Sequence, residues 1–245
     1  MARPHPPAYP HGDLVEVLPD LFFVPGTIRL PGPLPIRFSR NMTVVRRGER
    51  LIIINSLRLD EAGLAALDRL GKVTDVIRIA AHHGMDDPFY AERYGAKVSV
   101  VKGQRYTAGF KTNAAETYFS PHHELEAGTV PALEGSRLVV LASKPPEGLL
   151  LLPDHGGVLV TGDSLQNWSA TDKYFSWPAK LMMKRLGFIK PHNVGPAWFK
   201  QGQPPLDQMR ALLELDYANV LPSHGSPVLG SAAGHYRPAI ERVTT

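Results

Sequence analysis

The chain has 245 residues, enough for one large domain or two small ones, and 43% of them are apolar, which supplies a sizeable core. With 27 Lys/Arg against 23 Asp/Glu, the formal charge is +4, too small an excess to mark a nucleic-acid binder. Cysteine is absent, which excludes a disulfide framework, a thiolate zinc site, an iron–sulfur cluster and a cysteine nucleophile, so any metal must sit on His, Asp and Glu.

Residues 1–13, rich in Pro and His, read as a flexible arm without the apolar stretch of a secretory signal. No apolar run approaches the roughly 18 residues of a membrane span, so a cytoplasmic protein is expected. Leu21–Val24 reads as a short strand closed by Pro25-Gly26, and a Pro-rich stretch follows from Pro31 to Pro35. Met42–Val45 and Leu51–Ile54, joined by a charged turn, read as an antiparallel hairpin whose second strand is buried on both faces. Asp60 then caps a helix marked by Leu64, Leu67 and Leu70 and stopped by Gly71. Val76–Ala80 is a strand, Asp87-Pro88 opens a helix to about Tyr94 with Asp87 as its cap, and Lys97–Val101 is a strand again.

The second half repeats this α/β grammar. Strands are expected at Arg137–Leu141, Leu149–Leu152 and Val158–Val160. A polar and aromatic insertion at about 165–205 surrounds a helix from Ala179 to Leu186, Leu206–Leu215 is helical by periodicity, and Val220-Leu221 is a last short strand. Residues 14–245 thus read as a single domain. The aromatic residues of the insertion, among them Trp168, Phe175 and Trp198, either pack it against the body or line a lid.

Three strand ends carry the polar chemistry: His82 to Asp87, Asp163 in Thr-Gly-Asp-Ser, and His224 in Pro-Ser-His-Gly. His and Asp are nitrogen and oxygen ligands for a divalent ion, and only the tertiary fold could join positions so far apart. His122-His123-Glu124 has the composition of a metal cluster but precedes a surface turn, Leu125–Gly128, and is not expected to ligate.

The order of these motifs resembles that of the metallo-β-lactamase superfamily, from Leu18 to Pro227. The resemblance implies an α/β protein of the α+β kind, a four-layer αββα sandwich with a metal cleft along one edge of its two sheets. The family's loop His-x-His-x-Asp-His corresponds to His82-His83-Gly84-Met85-Asp86-Asp87, its bridging aspartate to Asp163 and its last histidine to His224. Gly84 and Ser143 stand where the family has histidines, and Asn55 stands where it has an early aspartate. A register with His83 in the second-histidine position would put Ala81 first and Met85 on the aspartate, losing three ligands, so His82 is placed first.

The implied ligand set is therefore His82, Asp86, Asp87, Asp163 and His224, for one divalent metal. Zinc follows from the family, manganese or iron from the oxygen-rich donors, and a metal-free centre stays open. Asp86 or Asp87 would orient and deprotonate water, and Lys144 would place a fixed cation in the first of the family's two metal sites, which Gly84 and Ser143 leave short of histidines, paired with Asp163 or Asp86. The function implied is hydrolysis of an ester, thioester, lactone or phosphoester. The alternative is a degenerate member that binds a small ligand or a protein partner, and a di-iron redox relative is the third. A small-molecule substrate is the expected partner, with neither nucleic acid nor membrane, and a homodimer is left open.

Overall fold

A computed structural model describes residues 5–30, 36–107 and 116–245. The first four residues of the arm and the Pro31–Pro35 run lie outside the described residues. Strands β1 (Val15–Leu18), β2 (Leu21–Arg29), β3 (Arg37–Arg47) and β4 (Arg50–Ile54) form an antiparallel meander. The strand expected to close at Pro25-Gly26 continues to Arg29, with Pro25 opposite Asn41. β1 pairs with β2 only as far as Phe23, so Pro25 lies beyond that ladder, where a missing N–H is tolerated. The arm runs beside it there: the Gly12 amide donates to the Pro25 carbonyl and the Thr27 hydroxyl to that of Pro10.

Helix α1 (Glu61–Leu70) is capped by Asp60, whose carboxylate accepts from the Gly63 amide, and it buries Leu64 and Leu67. β5 (Lys72–Arg78), α2 (Asp87–Tyr94) and β6 (Lys97–Val101) extend the sheet in parallel. Beyond the small pair β7 (Tyr106–Thr107) and β8 (Thr117–Phe119), β9 (His123–Leu125) completes a seven-stranded sheet ordered β1-β2-β3-β4-β5-β6-β9. Here His122 is a bracing residue, its Nδ1 accepting from the Val98 amide.

The second sheet is built from β10 (Gly128–Val130), β11 (Leu133–Leu141), β12 (Glu147–Leu152) and β13 (Val158–Thr161). The chain then leaves the sheet for β14 (Leu165–Gln166), α3 (Trp177–Arg185), β15 (Asn193–Val194), α4 (Pro196–Gly202) and α5 (Leu206–Ala211). It returns as β16 (Asn219–Pro222), parallel to β13, and ends in α6 (Ala232–Thr244). Ala232, Tyr236, Ala239 and Ile240 form the buried stripe of α6, an element that Gly234 and Pro238 obscure in the sequence.

Four layers result. Ile52, Ile54, Ile77 and Ile79 of the first sheet face Leu138, Leu150, Val160 and Leu221 of the second. α1 and α2 cover the outside of the first sheet through Leu64, Leu67 and Tyr90, while α5 and α6 cover the second through Met209 and Tyr236. Apolar burial on three interfaces, at about 25 cal/mol per Å², fixes the stacking. Among the described residues no helix is long and apolar enough to cross a membrane.

Candidate metal centre

The ends of β5, β13 and β16 meet at one edge of the sandwich, and each carries one polar residue inward. His83 comes from the loop after β5, Asp163 from the turn after β13 and His224 from the turn after β16. Their ligand atoms lie within 4.8 Å of one another. His224 Nε2 is 3.0 Å and His83 Nε2 3.4 Å from the same Asp163 oxygen, Oδ1.

Neighbouring backbone dictates this convergence. Asn55, at the end of β4, accepts from the Ile79 and Ala80 amides through Oδ1 and donates to the Ser223 hydroxyl through Nδ2. One amide side chain thereby ties the end of β4 to the loops bearing His83 and His224. Asn41 of β3 donates to the carbonyls of Pro222 and Gly225 and holds the His224 turn from the other side. Gly162 is required next to Asp163, because a Cβ there would overlap that of Ala80.

His224 Nδ1 lies 3.0 Å from the Ser39 carbonyl and must donate to it, since a carbonyl only accepts. A neutral His224 therefore turns the bare lone pair of Nε2 toward a carboxylate oxygen. That contact needs a cation between the two atoms, either a proton or a metal. Burial pushes His83 down to about 4, keeping it neutral, and Asp163 only partly opposes this; its Nδ1 is buried with no hydrogen-bond partner. Burial alone would raise Asp163, but the two imidazoles more than offset it and hold the carboxyl well below the usual range. Two imidazoles and an ionised carboxylate, with one imidazole fixed by a backbone carbonyl, suit a divalent cation.

Glu147, at the start of β12, lies beside this group. It accepts from the Ser164 amide at 2.6 Å, and burial, reinforced by Asp163, pushes its carboxyl up to about 8. The centre opens into a cavity of about 430 Å³. His82, Lys144, Glu147 and Gln166 supply polar groups to its lining, while Ile28, Phe38, Trp168, Met183, Phe188 and Trp198 make most of it apolar. Trp168 packs against His224 at 4.7 Å between centroids, with the ring planes tilted by 40°, and donates from Nε1 to the Ser39 hydroxyl.

The structure gathers only part of the ligand set expected from sequence. Asp163 and His224 are in the group, His83 joins them in place of His82, and His82 lines the cavity outside it. Asp86 is buried in an ion pair with Arg40 and also accepts from the Arg58 amide at 3.0 Å. Asp87 is buried as well, with the hydroxyls of Ser56 and Tyr106 donating to its two oxygens. Neither carboxylate reaches the centre, because each is consumed by partners of its own. Asp87 begins α2 instead of capping it, and no side chain caps that helix. Lys144 is exposed at the cavity rim, whereas the cation paired with Asp86 is Arg40.

No protein-family model matches the sequence, nor does the sequence of any curated protein. Solved structures do. VMB-1 is 12% identical and superposes with a TM-score of 0.65 over 98% of this chain and 100% of its own. The metallo-β-lactamase of Pontibacter korlensis is 14% identical, with a TM-score of 0.59 over 94% and 98%. FIM-1 from Pseudomonas aeruginosa, in its mono-zinc form, is 12% identical, with a TM-score of 0.56 over 98% of each chain. The chain has the metallo-β-lactamase fold.

The metallo-β-lactamase fold also makes the departures legible. At Gly84 a Cβ would overlap Arg78, Asp87 and Tyr106, so the guanidinium stacked over the Tyr106 ring at 3.8 Å takes the space a histidine would need. Ser143 is buried against Gly202 of α4 and donates to the Pro145 carbonyl. Three residues in or around the centre escape the sequence reading. His83 was hidden by its neighbour His82. Arg40 sits in a strand whose alternation gives no sign of a buried cation. Glu147 had a signal, a lone carboxylate leading into Leu149–Leu152.

Proposed function

We propose that this protein is a metal-dependent hydrolase built on a single divalent ion, held by His83, Asp163 and His224. The convergence of two imidazole nitrogens on one carboxylate oxygen, with His224 Nδ1 committed to the Ser39 carbonyl, carries this reading. A bound ion supplies an acidified water and polarises the bond to be split. The chain's own residues supply the rest. Asp163 and the imidazoles set the centre's geometry, and the Trp168 ring excludes water from one side of His224. Glu147, beside Asp163 on the cavity wall, is placed to exchange a proton with the reacting group. The apolar lining favours an ester, thioester or lactone with an apolar acyl portion over a phosphoester. The donor set suits zinc, manganese or iron, and mono-zinc FIM-1 supports a one-ion stoichiometry.

The test is elemental analysis of protein purified without chelators, followed by a panel of chromogenic esters, thioesters and lactones. One ion per chain, lost in Asp163→Asn and His224→Ala together with hydrolysis, is expected. Absence of bound metal, with no thermal shift on adding zinc, manganese or iron, overturns the reading. The buried Arg40–Asp86 pair favours the alternative in that event, a metal-free ligand binder, because it already satisfies with fixed charge a carboxylate that could have served as a ligand.

A further inference from the structure

Helix α3 faces two ways. Ala179 and Met183 are buried against Trp168 and Phe175, so this face belongs to the cavity wall. The outer face leaves Trp177 76% and Leu181 49% exposed, one helical turn apart, and Leu186 at the helix end is 57% exposed while also lining the cavity mouth. Of the six large apolar side chains exposed among the described residues, these three fall within ten residues of sequence. Burial elsewhere in the fold does not account for such a cluster.

The charge around it is as uneven. Between Lys173 and Lys200 lie six of the chain's 27 Lys/Arg and none of its 23 Asp/Glu, which leaves 21 basic against 23 acidic residues in the remainder. The whole positive excess is therefore concentrated in the segment that carries α3. Lys184 and Arg185 follow Leu181 by three and four positions, beside the Trp177–Leu181 stripe. A short stripe of Trp and Leu flanked by Lys and Arg is the composition of a surface that enters the interface of an anionic bilayer, with the aliphatic stems of the basic residues lying along the apolar boundary.

The geometry points to α3 as a docking surface for an anionic lipid membrane, with the cavity mouth at Leu186 held against the bilayer. This revises the expectation of no membrane partner, which rested on the lack of a spanning segment; docking at a surface needs none. An acyl chain partitioned in the bilayer would meet the apolar lining directly. The docking stands whether or not the centre holds a metal, so it fails or survives separately from the hydrolase reading.

The test is co-sedimentation of the full chain with phosphatidylcholine vesicles and with vesicles containing three parts in ten phosphatidylserine, at 50 and 500 mM salt. Binding to the anionic vesicles at least tenfold stronger than to the neutral ones, and lost at high salt, is expected. Lys180→Glu/Lys184→Glu should weaken partition by about fivefold per charge removed, with reversal adding more. Trp177→Ser/Leu181→Ser should abolish the blue shift of tryptophan fluorescence on vesicle addition. The proposal is overturned if neither vesicle binds, if neutral and anionic vesicles bind alike, or if both variants bind as wild type does. It is also overturned if sedimentation velocity shows a dimer that Trp177→Ser/Leu181→Ser splits, which would give the face to a second copy.

Discussion

Arg40→Met isolates the buried charge beside the centre. Arg40 and Asp86 are 2% and 3% exposed, and among the described residues the Arg40 guanidinium is the charged partner of the Asp86 carboxylate, which also accepts from the Arg58 amide. Removing one member of such a pair leaves a buried, uncompensated ion and costs about 3–5 kcal/mol. In a chain of this length that lowers the melting temperature by roughly 6–20 °C, at about 2–4 °C per kcal/mol. Asp86→Asn should cost a comparable amount, because two further nitrogens of Arg40, Nε and Nη1, already lack partners. The double variant Arg40→Met/Asp86→Asn removes both charges at once, so its cost should fall well short of the sum, with a coupling of at least 1.5 kcal/mol, roughly half the lower single cost. Urea unfolding followed by tryptophan fluorescence measures all four proteins. A single-variant cost below 1 kcal/mol, on the order of an exposed pair, or strict additivity in the double variant, would show that the pair is not the buried unit described.

Three other outcomes follow from the same geometry. In metal-free protein, Glu147 keeps its proton up to about 8 in the folded state, whereas the unfolded chain releases it near 4.5. Its contribution is full below 4.5 and is lost as pH rises through 8, so Glu147→Gln should flatten a decline on the order of 2 kcal/mol between pH 6.5 and 8, while the opposing slope from His83, which titrates near 6.5 in the unfolded chain, is common to both proteins. A denaturation series against pH reads this slope directly. Asn55→Ala removes three buried hydrogen bonds at once and should cost about 2–4 kcal/mol, with metal affinity weakened by roughly 10–100-fold in a competition titration. Gly84→Ala should destabilise by about 1–3 kcal/mol through overlap with Arg78 and Tyr106; a neutral result in thermal melting would mean that this loop is looser than its packing indicates.

The layers of the fold were readable because they rest on periodicity. The Leu64/Leu67 stripe of α1 and the isoleucines of β4 declare their faces locally. The centre was readable only in part, because it depends on which neighbour wins a long-range contact. His82 and His83 are adjacent and chemically identical, and only the turn after Ala80 decides which ring reaches Asp163. Asp86 and Asp87 look like ligands in a string of letters. Arg40, 46 residues earlier, and Tyr106, 19 residues later, claim them instead, and no local pattern announces either claim.

The side-chain amides of Asn41 and Asn55 have a dynamic consequence. His224 is carried by the second sheet, yet Ser39, Asn41 and Asn55, all on the first, fix its turn. At this edge the sheets cannot slide past one another without breaking several buried hydrogen bonds together. The amides of Ile79, Ala80 and Ser223 should therefore exchange with deuterated solvent only at the rate of global opening. Breathing of the sandwich is left to other parts of the fold, and the residues around Asp163 are rigid before any ligand arrives.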